Sequence, residues 1–142
     1  MKKKISKLLT AMIGLCLLTI ILTACGKTPF NGEGKIINID VKEYQQFVDG
    51  KKDGIVYVKR PFPEQEKRYL DQLTKMGKEK HFNIYVIDGG LDLHSKYIHQ
   101  ISRTLVYYKE GTVKSTLDLE KFEKEQVDLA INQFLQDVKE NE

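Results

Sequence analysis

Few residues of this sequence could do chemistry: two cysteines, three histidines, and some carboxylates near the ends of apolar runs. A cysteine attacks, exchanges or binds metal as its thiolate, so the positions of Cys16 and Cys25 decide most. The chain opens with Met1-Lys2-Lys3-Lys4-Ile5-Ser6-Lys7, and an apolar run of about fifteen residues follows from Leu8 to Leu22, broken by Thr10, Gly14 and Thr19. A spanning helix needs roughly 20 apolar residues. A basic start, a shorter apolar core and then the small residues Thr23 and Ala24 form the pattern of a cleaved signal peptide. Cys16 lies inside that core and leaves with it, whereas Cys25 stands directly after the small residues.

The stretch Leu22-Thr23-Ala24-Cys25-Gly26 resembles the lipobox of bacterial lipoproteins. The resemblance implies that residues 1–24 are a lipoprotein signal peptide, that the Cys25 thiol carries a diacylglyceryl group, and that Cys25 becomes the first mature residue. Each buried methylene contributes about 0.8 kcal/mol, and two acyl chains anchor stably where one holds only marginally. The expected location is the extracytoplasmic face of the cell membrane, with the membrane as a partner through the Cys25 lipid.

With Cys16 removed and Cys25 consumed, the mature domain has no thiol left. This removes disulfide exchange, cysteine nucleophiles and zinc–thiolate sites together. The other candidates are weaker. His94 and His99 are five apart, a spacing that does not align two ligands on one helical face; with His81 they read as surface residues. Asp88, Asp92 and His94 follow a predicted strand end, but with no nucleophile beside them they read as a turn. Glu64 and Glu66 read as carboxylates favoured by the positive end of a helix. No cofactor, no metal and no enzymatic activity are expected. Of the 23 Lys and Arg residues, four lie in the leader, leaving 19 against 20 Asp and Glu. A near-neutral, mixed-charge chain argues against nucleic acid as partner.

The elements that must position these residues follow from the patterning. Residues 25–34 form the lipidated cysteine and a Gly/Pro/Asn tether; nine flexible residues reach roughly 15–18 Å. Residues 35–142 suffice for one domain. Ile36–Ile39 predicts a strand. Asp40 with Glu43 predicts a capping box, opening a helix whose inward stripe is Val41, Tyr44, Phe47 and Val48 and which Gly50 stops. Ile55–Val58 predicts a buried strand. Arg60-Pro61-Phe62-Pro63 is a stiff loop, because each proline fixes its own φ and restricts the residue before it. Pro63 begins a second helix whose inward stripe is Leu70, Leu73 and Met76, a stripe that Gly77 ends. Ile84–Ile87 is the next strand, and a short helix is expected around Ser95–Gln100. Thr104–Tyr108 and Thr112–Leu117 flank Glu110-Gly111 as a hairpin; Tyr107 and Tyr108 alternate across the strand, so at least one belongs to the core. Val127, Ile131, Phe134, Leu135 and Val138 mark the last helix. The order β-α-β-α-β-α-β-β-α predicts an α/β fold, one mixed sheet with helices on both faces.

That order is similar to the thioredoxin fold. Ile55–Tyr69, IVYVKRPFPEQEKRY, resembles the strand-loop-helix that carries the CxxC motif in thioredoxin-like proteins of Gram-positive bacteria, including the bacteriocin-accessory type. Aligned on Arg60-Pro61, the two cysteine positions fall on Pro63 and Glu66. Ile101–Leu105, followed by Tyr108-Lys109-Glu110-Gly111, resembles the family's Ile-Pro-Thr-Leu strand and hairpin turn, with Arg103 at the cis-proline position. A cis bond before a non-proline costs about 2.5–4 kcal/mol, so a trans bond is expected. Disulfide exchange needs a thiolate and a second sulfur, and Pro63 and Glu66 supply neither. The resemblance therefore implies a thioredoxin-like domain without the redox centre.

Phe62 sits between two prolines, and a thioredoxin-like arrangement brings Arg60 and Arg103 near it. A rigid aromatic beside two guanidiniums has the composition of a protein-contact hot spot; the alternative is that Phe62 folds back over the core. The expectation is a protein-binding module, with transport, a bacteriocin-related accessory role or mobile-element interference as open settings. A groove-binding accessory to a separate thiol oxidoreductase, and a small-molecule or metal-binding lipoprotein, are the alternatives.

Overall fold

A computed structural model describes residues 28–89 and 103–142. The strands are β1 (Ile36–Asn38), β2 (Gly54–Lys59), β3 (Ile84–Asp88), β4 (Thr104–Lys109) and β5 (Thr112–Asp118). The helices are α1 (Val41–Asp49), α2 (Pro63–Lys80) and α3 (Val127–Glu140). Leu119–Lys121 and Lys124–Gln126 are short 3-10 turns. The leader, Cys25 and the helix expected around Ser95–Gln100 lie outside the described residues.

The described strands form one mixed sheet in the order β1-β3-β2-β4-β5. β3 pairs parallel with both β1 and β2, while β2–β4 and β4–β5 are antiparallel. The chain moves outward from β1 past the future place of β3 to β2, then back to β3. Right-handed crossovers travelling in opposite directions put their helices on opposite faces. Accordingly Tyr44 and Phe47 of α1 pack with Val56, Val58, Ile87, Val106 and Tyr108 on one face. On the other, Leu73 and Met76 of α2 and the apolar stripe of α3 pack with Ile55, Tyr57, Ile84, Val86, Leu105 and Tyr107. Adjacent strand residues serve opposite cores, as the two-residue period requires. Tyr107 and Tyr108 are both buried, one in each core.

The local signals act as expected at several ends. Asp40 Oδ1 accepts from the Glu43 N–H at 2.7 Å and Glu43 Oε2 accepts from the Asp40 N–H at 2.9 Å, a complete capping box. Glu110 and Gly111 both take positive φ, 51° and 70°, the geometry of a two-residue primed turn. Gly111 also abuts α1: a Cβ there would lie 2.2 Å from the Val48 carbonyl oxygen.

α2 runs past Gly77, the expected end of its inward stripe, to Lys80, and His81 closes it with φ 61°. Gly77 is required where it stands, since a Cβ there would lie 2.9 Å from the Phe82 carbonyl oxygen and 3.2 Å from the Gly34 Cα. One expectation needs correction: the tether is not free as far as Gly34. The Phe30 ring packs edge-on against Phe82 at 6.0 Å, and the Gly32 N–H donates to the His81 carbonyl at 2.7 Å. Asn83 Oδ1 accepts from both the Glu33 and Lys35 N–H groups at 3.0 Å. A Gly/Pro/Asn composition signals turns, and here the turns are docked on the α2–β3 junction.

Candidate functional site

β1, β2 and β3 run in the same direction, and β4 starts beside the end of β2, with Val58 opposite Thr104. One pole of the sheet therefore gathers the ends of β2 and β3, the Arg60–Pro63 loop, the start of α2, Arg103, and the turn after β5. The opposite pole holds the starts of β2 and β3 and the Phe30–Lys35 segment.

Phe62 is 57% exposed at the first pole, a value that decides between covering the core and facing solvent. It precedes α2 as its N-cap without a side-chain capping bond, and Pro63 occupies the first helical turn. Its carbonyl accepts from the Glu66 N–H at 3.3 Å. Pro61 and Pro63 are exposed on either side.

Beneath this loop is a polar cluster. Glu66 is 1% exposed. Tyr57 Oη donates to its Oε2 at 2.7 Å, and Arg103 Nε donates to its Oε1 at 2.9 Å. Both carboxylate oxygens are thus occupied. The Arg103 guanidinium also lies 4.9 Å from the Tyr69 ring centroid, within cation–π range. Burial and the neighbouring Glu66 push the Tyr57 phenol well above its ordinary pKa, so it stays protonated as a donor. Burial alone would lower the pKa of Arg103; the Glu66 hydrogen bond and charge outweigh it and the net shift is upward.

The backbone around the cluster is tied down as well. Arg103 has φ 47°, in the left-handed region, at a cost of roughly 1–2 kcal/mol for a residue with a Cβ. Its carbonyl accepts from the Leu119 N–H at 2.9 Å, so both ends of the residue are held. The bond from Ser102 to Arg103 begins outside the described residues. Arg60 pairs with Glu120 in the turn after β5. Lys59 pairs with Asp88 at 3.0 Å, and the Gly89 N–H donates to the Lys59 carbonyl at 2.7 Å.

The structure therefore sorts the expected contact residues. Arg60, Phe62 and Arg103 do sit at one pole, but both guanidiniums are engaged in holding the loop and strand ends together. Among the described residues, Phe62 is the large apolar side chain exposed there. Glu66 stands in the first turn of α2, as expected, and is also the buried centre of the cluster. The burial has a physical cause: Tyr57 is directed to the same face of the sheet as α2, and its hydroxyl needs an acceptor there. The pairing of Glu66 with residues 9 and 37 positions away left no local signal.

Among the described residues no group of three or more histidines, cysteines or carboxylates could hold a metal ion. His81 is exposed at the end of α2, while His94, His99 and Asp92 lie outside the described residues. Among the described residues, no helix is long and apolar enough to cross a membrane. No family model matches the chain, and no curated protein matches it.

Proposed function

We propose that the chain is a membrane-anchored extracytoplasmic lipoprotein whose thioredoxin-like domain has no redox activity and binds another protein through the pole that carries Phe62. The observation that carries this reading is Phe62 itself: a large, exposed aromatic, fixed between two prolines and standing on a tied-down polar cluster. Rigid aromatics supply contact area at low entropic cost and dominate interface energetics. The sheet order, with β3 between β1 and β2 and an antiparallel β4–β5 pair, supports the thioredoxin-like assignment. The lipobox at Leu22–Cys25 supports the anchor.

The redox-inactive part of the reading rests on composition and on Glu66. The two positions that align with the thiol pair are Pro63 and Glu66, and Glu66 is occupied on both oxygens by Tyr57 and Arg103. A buried, fully paired carboxylate at the second position favours a structural role for this corner of the fold.

The test compares partner capture by the native chain and by Phe62→Ala in intact membranes, alongside thermal unfolding. Loss of a specific partner with an unchanged melting temperature supports the reading. Equal capture of that partner by the variant would refute it. The purified domain should also leave insulin disulfides intact, and turnover there would contradict a non-redox domain.

A further inference from the structure

The segment between the anchor and the domain is shorter than its composition suggests, and it is attached at one pole. The described chain begins at Thr28, three residues after Cys25. Consecutive Cα atoms are about 3.8 Å apart, so Thr28 lies within about 11 Å of Cys25 whatever the path between them. Thr28, Pro29 and Gly32 line a cleft together with Asp53, Gly54 and Asn83, at the starts of β2 and β3. From Phe30 onward the chain is held by the ring of Phe82, by the His81 carbonyl and by two hydrogen bonds to Asn83. Lys139 Nζ of α3 lies 5.0 Å from the Phe30 ring centroid on the same side. Gly34 takes φ 75° where it passes α2, and a Cβ there would meet the Lys78 backbone nitrogen at 2.4 Å, so the path is fixed by close packing.

We propose that Phe30–Lys35 is a clasp that orients the domain on the lipid surface, with the pole of Lys52, Asp53 and Asn83 toward the membrane and the Phe62 pole directed away from it. The proposal rests on lipidation of Cys25. A flexible tether of nine residues would let the domain tumble and bury Phe62 against lipid part of the time. A clasped one shortens the connection to the residues before Phe30, and Pro29 stiffens the last of these. The six residues of β2 separate the poles, which places Phe62 roughly 20 Å farther from the headgroups than the clasp. The partner implied is a protein that approaches from outside the bilayer, reaching past the height of the domain.

The test uses the full chain, made as a lipoprotein and reconstituted into phosphatidylethanolamine/phosphatidylglycerol vesicles that carry an acceptor-dye lipid. Lys52→Cys and Lys121→Cys each supply a thiol for a donor dye, one at each pole. Vesicle flotation measures attachment separately from energy transfer. Transfer from position 52 should exceed that from position 121, and the difference should collapse when Phe30→Ala and Asn83→Ala are added, with circular dichroism confirming that the clasp variant is folded. Attachment with equal transfer from both positions, or a difference that survives loss of the clasp, would overturn the orientation while leaving the anchor standing. A native chain that does not float with the vesicles would overturn both.

Discussion

Glu66, Tyr57 and Arg103 hold the candidate site at the scale of single residues, and the balance of charge and burial there is measurable. Glu66→Gln keeps the shape but removes the carboxylate charge that faces Arg103, whose side chain is 15% exposed. Breaking a buried pair from one side costs about 3–5 kcal/mol, and the partial exposure of Arg103 reduces this to about 2–4 kcal/mol. Denaturant unfolding should show that loss in midpoint with an unchanged slope. Arg103→Ala should destabilise comparably, so it cannot serve as a clean test of binding; Phe62→Ala can. At 57% exposure, Phe62 should contribute within about 0.5 kcal/mol to stability. The buried tyrosines set a pH limit. Burial, followed by hydrogen bonding to Glu66 and to Tyr108, raises the phenol pKa values of Tyr57 and Tyr44 respectively above their usual value near 10. The neutral forms are favoured in the folded state, so their stabilisation is complete below pH ~10. It is lost above that, as the unfolded chain releases protons that the native one keeps. Tyrosinate absorbance near 295 nm should rise together with unfolding at alkaline pH; full ionisation of a still-folded domain would contradict this.

Elements were legible where their signals are local. The Asp40–Glu43 capping box, the Glu110–Gly111 turn and the α3 stripe each depend on residues within a few positions of one another. Asp40→Ala should cost about 1 kcal/mol by calorimetry, the usual value of an N-cap. Gly111→Ala should cost more than the roughly 1–2 kcal/mol of a left-handed φ alone, because its Cβ would also strike the Val48 carbonyl. The missed features all depend on long-range partners. Gly77 marked the end of the inward stripe, but nothing near it in sequence signalled its close packing against Gly34. The docking of the tether depends on Asn83, 50 positions from Glu33. The flanking prolines marked the Phe62 loop as stiff but left open whether Phe62 covers the core, and the burial of Glu66 required knowing that Tyr57 and Arg103 meet it in space.

At the scale of the whole molecule, the two poles of the sheet divide the work. One receives the N-terminal segment; the other carries the stiff loop and its polar support. Cys25→Ala should release the protein from membranes or leave it as an unprocessed precursor, seen by fractionation and a mobility shift. Normal processing and retention would exclude the lipid anchor.

Site-specific photo-crosslinking in intact cells tests partner binding most directly. A photoreactive residue placed at position 62 is compared with one at position 129, where the native Leu129 is also exposed but lies on α3. The account predicts a discrete adduct from position 62 and none of the same mass from position 129. The same adduct from both positions, or none from position 62, would contradict a protein contact at the Phe62 pole.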